Sequence, residues 1–277
     1  MTDLTQWMRN RDRVLIMGIL NITPDSFYDG GRYDAFDRAV ERGLQMVAEG
    51  ADILDVGGES TRPGSRPISA QQEIDRVVPV IEALGAKTDA VLSIDTTKAA
   101  VARAALASRA TLVNDVSALR FDSEMPQLIA ETDAYVVLMH MLGTPASMQK
   151  APAYKDVVED IAAFLEERRR VAEAAGIAHD RVILDPGIGF GKTLAHNLAI
   201  LQSVQRFSKT GSPVMIGLSR KAFLGAILDV PADDRLVGTI AANAIAALNG
   251  ADILRVHDVK EGRQAADMAI RLRTQNA

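Results

Sequence analysis

The chain has 277 residues, 48% hydrophobic and 24% charged, with a net charge of -5 and no cysteine. That balance suits a globular protein with a large core, and a mildly acidic surface argues against general binding to nucleic acid or anionic membranes. The lack of cysteine excludes disulfides, thiolate metal sites and cysteine nucleophiles.

Residues 1–12, within "MTDLTQWMRNRDR", read as an N-terminal extension without an apolar stretch of signal-peptide length. Nowhere do about 18 uncharged apolar residues run together, so no spanning helix is expected. A cytoplasmic protein is the expectation.

The first apolar run, 14–19 ("VLIMGI"), reads as a buried strand that opens at Asn21 into a loop of polar groups and rings, "NITPDSFYDGG". In "AFDRAVERGLQMVAEGA", Phe36, Val40, Leu44 and Val47 recur at helical spacing and Gly50 follows as a stop. Further short strands rich in Val, Ile and Leu fall at 52–56, 91–95, 111–115, 134–139, 181–185, 213–217 and 252–256. Helical patterns cover 70–85, 97–107, 156–175, 195–205 and 258–273, with a weaker one at 122–131.

Eight strands alternating with helical stretches predict an α/β fold, a single-domain (β/α)8 TIM barrel spanning 1–277. A doubly wound open sheet is the alternative. Connections from strand to helix usually take about 2–6 residues. The stretches 21–33 and 57–69 are longer, which predicts long mobile loops after the first two strands.

A barrel places chemistry at the C-terminal ends of its strands. There the chain carries in turn Asn21, "GGESTRPGS", Asp95, "NDVS", "MHMLGTPASMQ", "DPGIGFGK", "LSRK" and "RVHD", whereas the helix-to-strand joins "AEGA" and "LNGA" are short and bland. Strands that merely ended in polar residues would look alike at both ends.

"PGIGFGKT" invites a nucleotide P-loop reading, but the required first glycine is Pro186, which has no N–H to offer phosphate. Closely spaced glycines still let backbone approach a flat ligand. Asp95, Asn114 and Asp185 end three strands and together present acceptors to a donor-rich heterocycle edge, although each alone is an ordinary helix-capping residue. Arg62, Arg220, Lys221, Arg255 and His257 bring cations to the same end, either as an anion site or as ion pairs with nearby carboxylates. His140, His179 and His196 read as structural or surface residues. No histidine and carboxylate set has transition-metal spacing, while Mg²⁺ held chiefly by substrate phosphates stays compatible. No G-x-S-x-G elbow or Ser-His-Asp order supports acyl chemistry.

Taken in order, "GILNITPDSFYDGG", "DVGGESTRPGS", "SIDT", "VNDVS", "MHMLGTPASMQ", "DPGIGFGK", "LSRK" and "RVHDV" resemble the dihydropteroate synthase family over nearly the whole chain. The resemblance implies a pterin-binding (β/α)8 barrel, a transferase of folate biosynthesis that joins 4-aminobenzoate to a dihydropterin diphosphate through a pterin-methyl cation. Carried over by position, Asp95, Asn114, Met139, Asp185, Lys221 and Arg255 hold the pterin. Asn21, Arg62, Arg255 and His257 bind the diphosphate, with Mg²⁺ at Asn21. Phe27, Thr61, Pro63, Phe190, Ser219 and Lys221 frame 4-aminobenzoate. The resemblance gives catalytic weight to Asp95, Asp185, Lys221 and Asp29, implies a homodimer, and makes sulfonamides expected inhibitors.

Two residues depart from the family pattern: Tyr28, where a small serine is usual, and Leu142, where glutamine is common. A related pterin-binding barrel, a corrinoid methyltransferase, would explain the Asp/Asn/Asp set but not "STRPG". A catalytically dead binding protein would be expected to lose Asn21, Arg62, Lys221 or His257, and all four are present.

Overall fold

The structure is a computed structural model that describes residues 4–11, 13–22, 32–60 and 67–274. It opens with helix α1 (Leu4–Asn10) and strand β1 (Leu15–Asn21), then α2 (Arg32–Ala48), β2 (Ile53–Gly57), α3 (Ala70–Gly85) and β3 (Val91–Asp95). Next come α4 (Ala99–Ala107), β4 (Leu112–Asp115), α5 (Met125–Ala130), β5 (Tyr135–Met139), α6 (Val157–Ala174) and β6 (Val182–Asp185). The last third holds α7 (Leu194–Gln202), α8 (Val204–Phe207), β7 (Met215–Gly217), α9 (Ala222–Leu228), α10 (Leu236–Leu248), β8 (Ile253–Val256) and α11 (Val259–Thr274).

All eight strands are parallel, in the order β6-β5-β4-β3-β2-β1-β8-β7. A parallel bridge between Leu184 and Val214 closes the ring, and the Leu184 N–H donates to Pro213 O at 2.9 Å. Pro213 has no N–H to return a bond, so this seam is thinner than the others. The fold is the (β/α)8 barrel expected from the alternation of elements. Its first two strand-to-helix loops lie mostly outside the described residues.

Alternation along each strand separates two cores. Outward side chains such as Ile16, Leu54, Ile94, Val113, Leu138 and Leu254 pack under the helices. Inward ones form a second cluster, Leu15, Met17, Ile53, Val91, Leu112, Val137, Ile183, Met215 and Ile253, which every strand supplies. The N-terminal extension seals this cluster from below. Leu4, Trp7 and Met8 of α1 join it, and the Trp7 indole donates to Arg13 O at 2.9 Å.

Local signals fix several helix starts. Ser69 and Gln72 form a reciprocal capping box at α3, Thr193 and His196 another at α7, and the Asp156 carboxylate accepts from the Val158 and Glu159 N–H groups at α6. Above the apolar floor, the next inward positions on β2, β3, β4, β6 and β8 are polar, and they lead up to the C-terminal rim.

Candidate active site

The inward residues one step above the floor include Asp55 on β2, Ser93 on β3, Asn114 on β4, Asp185 on β6 and Arg255 on β8. Asp55 is fully buried and accepts three hydrogen bonds: from Ser93 Oγ at 2.6 Å, Asn114 Nδ2 at 2.9 Å and Arg255 Nε at 2.7 Å. The other end of the same guanidinium donates from an Nη to Asp95 Oδ2 at 2.7 Å. Two carboxylates therefore grip one arginine across the barrel, joining β2, β3 and β8.

Burial is the main influence on these groups. It raises the Asp95 carboxyl to about 7, against the pull of Arg255 and with the help of Asp55. It also raises Asp185, which Lys221 and the Gly187 N–H, donating at 2.7 Å, act to lower. Lys221 is lowered to about 8 by burial despite Asp185. Burial works against the charge of Arg255, but Asp55 and Asp95 outweigh it and hold its pKa above the ordinary arginine value. Asn114, whose amide nitrogen is committed to Asp55, is left with a buried Oδ1 that has no partner. Such an orphaned acceptor costs on the order of 1–3 kcal/mol.

Small residues leave room above this ring. Gly57 ends β2 between Asn21 and Asp95; a Cβ there would lie 3.4 Å from Asn21 Oδ1 and 3.8 Å from Asp95 Oδ2. Gly217 ends β7, and a Cβ there would stand 3.8 Å from Lys221 Nζ and 3.9 Å from Arg255 Cβ. On the apolar side Val116, Met139, Met141 and Met148 form a small cluster against Phe190. The Lys221 ammonium stands 5.0 Å from the centre of the Phe190 ring and donates to Ile188 O. Across the mouth Ser219 Oγ accepts from the His257 N–H at 3.2 Å and lies 2.9 Å from His257 Nδ1.

A rim of buried acceptors, one doubly bound arginine and a flat apolar wall is a site for a planar, donor-rich ring. A family model described as "Pterin binding enzyme" matches residues 17–257, most of the chain and every strand of the barrel. The chain belongs to the dihydropteroate synthase family. Dihydropteroate synthase of Escherichia coli (strain K12) is 44% identical over 250 residues, covering 90% of this chain and 88% of that protein. The Yersinia pestis enzyme, in a sulfonamide drug complex, superposes with a TM-score of 0.90 at 43% identity, covering 99% of this chain and 96% of that one. The Xanthomonas albilineans enzyme in complex with 7,8-dihydropteroate gives 0.86 at 42% identity over 96% and 95%. Membership makes the chain an enzyme, a transferase of folate biosynthesis.

Of the residues named from sequence, Asn21, Asp95, Asn114, Met139, Asp185, Phe190, Ser219, Lys221, Arg255 and His257 all sit at or just beyond the strand ends of this one rim. Phe27, Asp29, Thr61, Arg62 and Pro63, with the departure at Tyr28, lie outside the described residues. Arg255 is held by carboxylates, the alternative to an anion site that the sequence left open. Arg220 is likewise committed: its guanidinium makes two bonds to Asp258, at 3.1 and 2.6 Å. Leu142, the second departure, packs against the Gly191 backbone, where a Cβ on Gly191 would stand 2.6 Å from Leu142 Cβ.

Asp55, Val116, Met141 and Met148 were not singled out from sequence. For Asp55 the signal was a charge in the middle of "DILDV", at the inward phase of the strand. The left-handed residues Ala118 (φ 53°) and Leu119 (φ 62°) follow Val116 and are steadied by the Asp115 carboxylate, which accepts from the Ser117 and Leu119 N–H groups. A crevice of about 490 Å³ lined by residues 85–89 and Arg109 opens among the helix-to-strand loops, at the opposite face from this chemistry.

Proposed function

We propose that the chain joins 4-aminobenzoate to 6-hydroxymethyl-7,8-dihydropterin diphosphate, giving 7,8-dihydropteroate and diphosphate. The observation that carries this reading is the unpartnered, buried Asn114 Oδ1 beside the carboxylates of Asp95 and Asp185. A ring with an amino group and ring N–H groups on one edge supplies a donor to the Asn114 oxygen and further donors to the two carboxylates. The Xanthomonas albilineans relative's complex with 7,8-dihydropteroate supports the same product here.

In this reading Asp95, Asn114 and Asp185 hold the donor edge and Lys221 the ring's acceptor edge, with Met139 on one face and Arg255 on the other. Asn21, Arg62 and His257 face the diphosphate, together with the one Arg255 nitrogen that Asp55 and Asp95 do not hold. Phe27, Thr61, Pro63, Phe190, Ser219 and Lys221 frame 4-aminobenzoate. The carbon–oxygen bond breaks first, its electron pair leaving with the diphosphate and a positive charge forming on the pterin methylene. Asp95 and Asp185, with Asp29 added from the first loop, favour that charge. The arylamine nitrogen then donates its lone pair to the carbon and sheds a proton. Removing one such prearranged group costs on the order of 10²–10³ in rate.

Among the described residues no group of three or more His, Asp or Glu side chains could hold a metal alone. Asn21 at the end of β1 offers one hard oxygen, which fits Mg²⁺ bound mainly through substrate phosphates. Mg²⁺ bound there would supply positive charge to the leaving diphosphate.

One domain carries the whole site. A homodimer through α10 and α11 is supported by the exposed Val237, Ile245, Met268 and Leu272 on those two packed helices. Among the described residues no helix is long and apolar enough to cross a membrane. With the absence of cysteine, this supports a cytoplasmic setting.

The test is direct: purified protein, both substrates and Mg²⁺, with dihydropteroate and diphosphate expected in equal amounts. Tight pterin binding without product would reduce the chain to a binding protein. Sulfonamides should compete with 4-aminobenzoate, and non-competitive inhibition would undercut the shared pocket.

A further inference from the structure

The Gly-Lys pair ending "GIGFGK" has no part in the chemistry above, and its lysine does not face a ligand. Lys192 is 5% exposed and turns inward behind the rim. Its Nζ lies 2.9 Å from His140 Nδ1 and donates to Phe190 O at 3.0 Å and His140 O at 3.4 Å. Two of these partners are carbonyl oxygens and the third is a ring nitrogen whose role depends on its tautomer. Burial, with Lys192 and Arg120 nearby, lowers His140 to about 2, which keeps its ring neutral, and burial also holds Lys192 well below the ordinary lysine value. The imidazole is itself wedged edge-on against Phe164, with ring centres 4.8 Å apart.

His140 is already locked to the β6–α7 loop by backbone. Its N–H donates to Asp185 O at 2.9 Å, and a Cβ on Gly187 would stand 2.0 Å from its carbonyl oxygen. Along that loop each carbonyl from Gly187 to Gly191 has a donor. They are the Phe190 N–H at 3.1 Å, Lys221 Nζ, Gln149 Nε2 at 2.6 Å, Lys192 Nζ and the Tyr154 hydroxyl at 2.8 Å. Lys192 is the donor that holds the residue whose ring lies under Lys221.

We propose that Lys192 is a positioning residue: braced on His140, it fixes the Phe190 carbonyl and so sets where the Phe190 ring, and the arylamine packed on it, stands relative to Lys221. This rests on the 4-aminobenzoate pocket assigned above. Lys192 thus serves the second substrate and not the pterin.

Two variants and one spectroscopic label separate positioning from mere stability. Lys192→Met should raise KM for 4-aminobenzoate about tenfold, the worth of one buried hydrogen bond. The KM for the pterin diphosphate should stay unchanged and kcat within about threefold. Combining Lys192→Met with His140→Phe removes the imidazole left unpaired by the first change, which returns Tm part of the way toward the parent value while the Phe190 carbonyl stays without its donor. The raised KM should persist in that double variant. An unchanged KM in the single variant, or a KM that recovers together with Tm in the double, overturns the proposal. With Phe190 replaced by 4-fluorophenylalanine, the fluorine resonance should shift or broaden on Lys192→Met whatever substrate the enzyme uses. An unmoved resonance also overturns the proposal. A moved resonance in a parent enzyme that makes no dihydropteroate would keep the positioning role and sink the substrate assignment instead.

Discussion

Replacing Asp55 by asparagine removes one charge from the centre of the barrel while keeping nearly the same shape. The Asn oxygen can still accept from Asn114 and Arg255, and its amide can donate to Ser93 Oγ, so the hydrogen-bond pattern survives and the charge alone is lost. Breaking a buried ion pair by removing one partner typically costs about 3–5 kcal/mol. Arg255 keeps Asp95, which places this change near the lower end. At about 2–4 °C per kcal/mol for chains of this size, Tm should fall by roughly 6–12 °C.

The more specific consequence is a pH effect. Asp55 helps to raise Asp95 to about 7, so kcat/KM should climb through that pH as Asp95 ionises. At an effective dielectric of about 20, two unit charges about 4 Å apart interact by about 4 kcal/mol, and less at longer range. The guanidinium bound to both carboxylates offsets part of that, leaving on the order of one pKa unit, about 1.4 kcal/mol. Asp55→Asn should therefore move the acid limb of the kcat/KM profile down by about one pH unit, because Asp95 loses a like-charged neighbour and gains more of Arg255. The absolute rate should drop about 100-fold, because one prearranged negative charge is gone from beside the developing cation. The assay is steady-state kinetics from pH 5 to 9 beside a thermal melt. A limb that stays near 7 or moves upward, in a folded variant, would refute the reasoning.

Other expectations can fail separately. Lys221, lowered to about 8 by burial, should give the profile an alkaline limb as it loses its proton, and Lys221→Met should abolish that limb; a limb that persists would assign it elsewhere. Ser219→Ala should raise KM for both substrates, because the same hydroxyl that faces 4-aminobenzoate also meets His257 Nδ1; a change for 4-aminobenzoate alone would break that link. Trp7→Ala should cost about 3–5 kcal/mol yet leave kcat near the parent value at low temperature, since Trp7 belongs to the floor and not to the rim. Lost activity with unchanged Tm would contradict the division between the two layers.

Much of this was legible in the sequence for a simple reason. Strands covered on both faces are short runs of Val, Ile and Leu, so all eight were found within two residues of their observed starts and ends. The helices after β7 were not read. α9 has seven residues and ends at a left-handed Asp229, while α10 begins without a side-chain cap and is apolar nearly all round, so neither shows a start signal or a clear stripe. α1 is also only seven residues long, too short for periodicity, and its purpose depends on the barrel being closed above it.

The same limit applies within the site. Asp95, Asn114 and Asp185 stand at strand ends, where a polar residue is noticed. Asp55 lies inside a strand, and its partner Arg255 is 200 positions away. The two become neighbours only because β2 and β8 both pair with β1, Ile19 opposite Asp55 and Met17 opposite Arg255.

The central claim is that this prearranged charge lets the carbon–oxygen bond break before the arylamine arrives. It can be tested with dihydropterin diphosphate carrying ¹⁸O in the ester oxygen that bridges the methylene carbon and phosphorus, incubated with enzyme and Mg²⁺ but no 4-aminobenzoate. Reversible cleavage predicts that label scrambles from the bridge into the non-bridging oxygens of recovered substrate, and that Asp185→Asn slows the scrambling. Label that stays wholly in the bridge, in an enzyme that turns over normally once 4-aminobenzoate is added, would mean that the nucleophile takes part in breaking the bond.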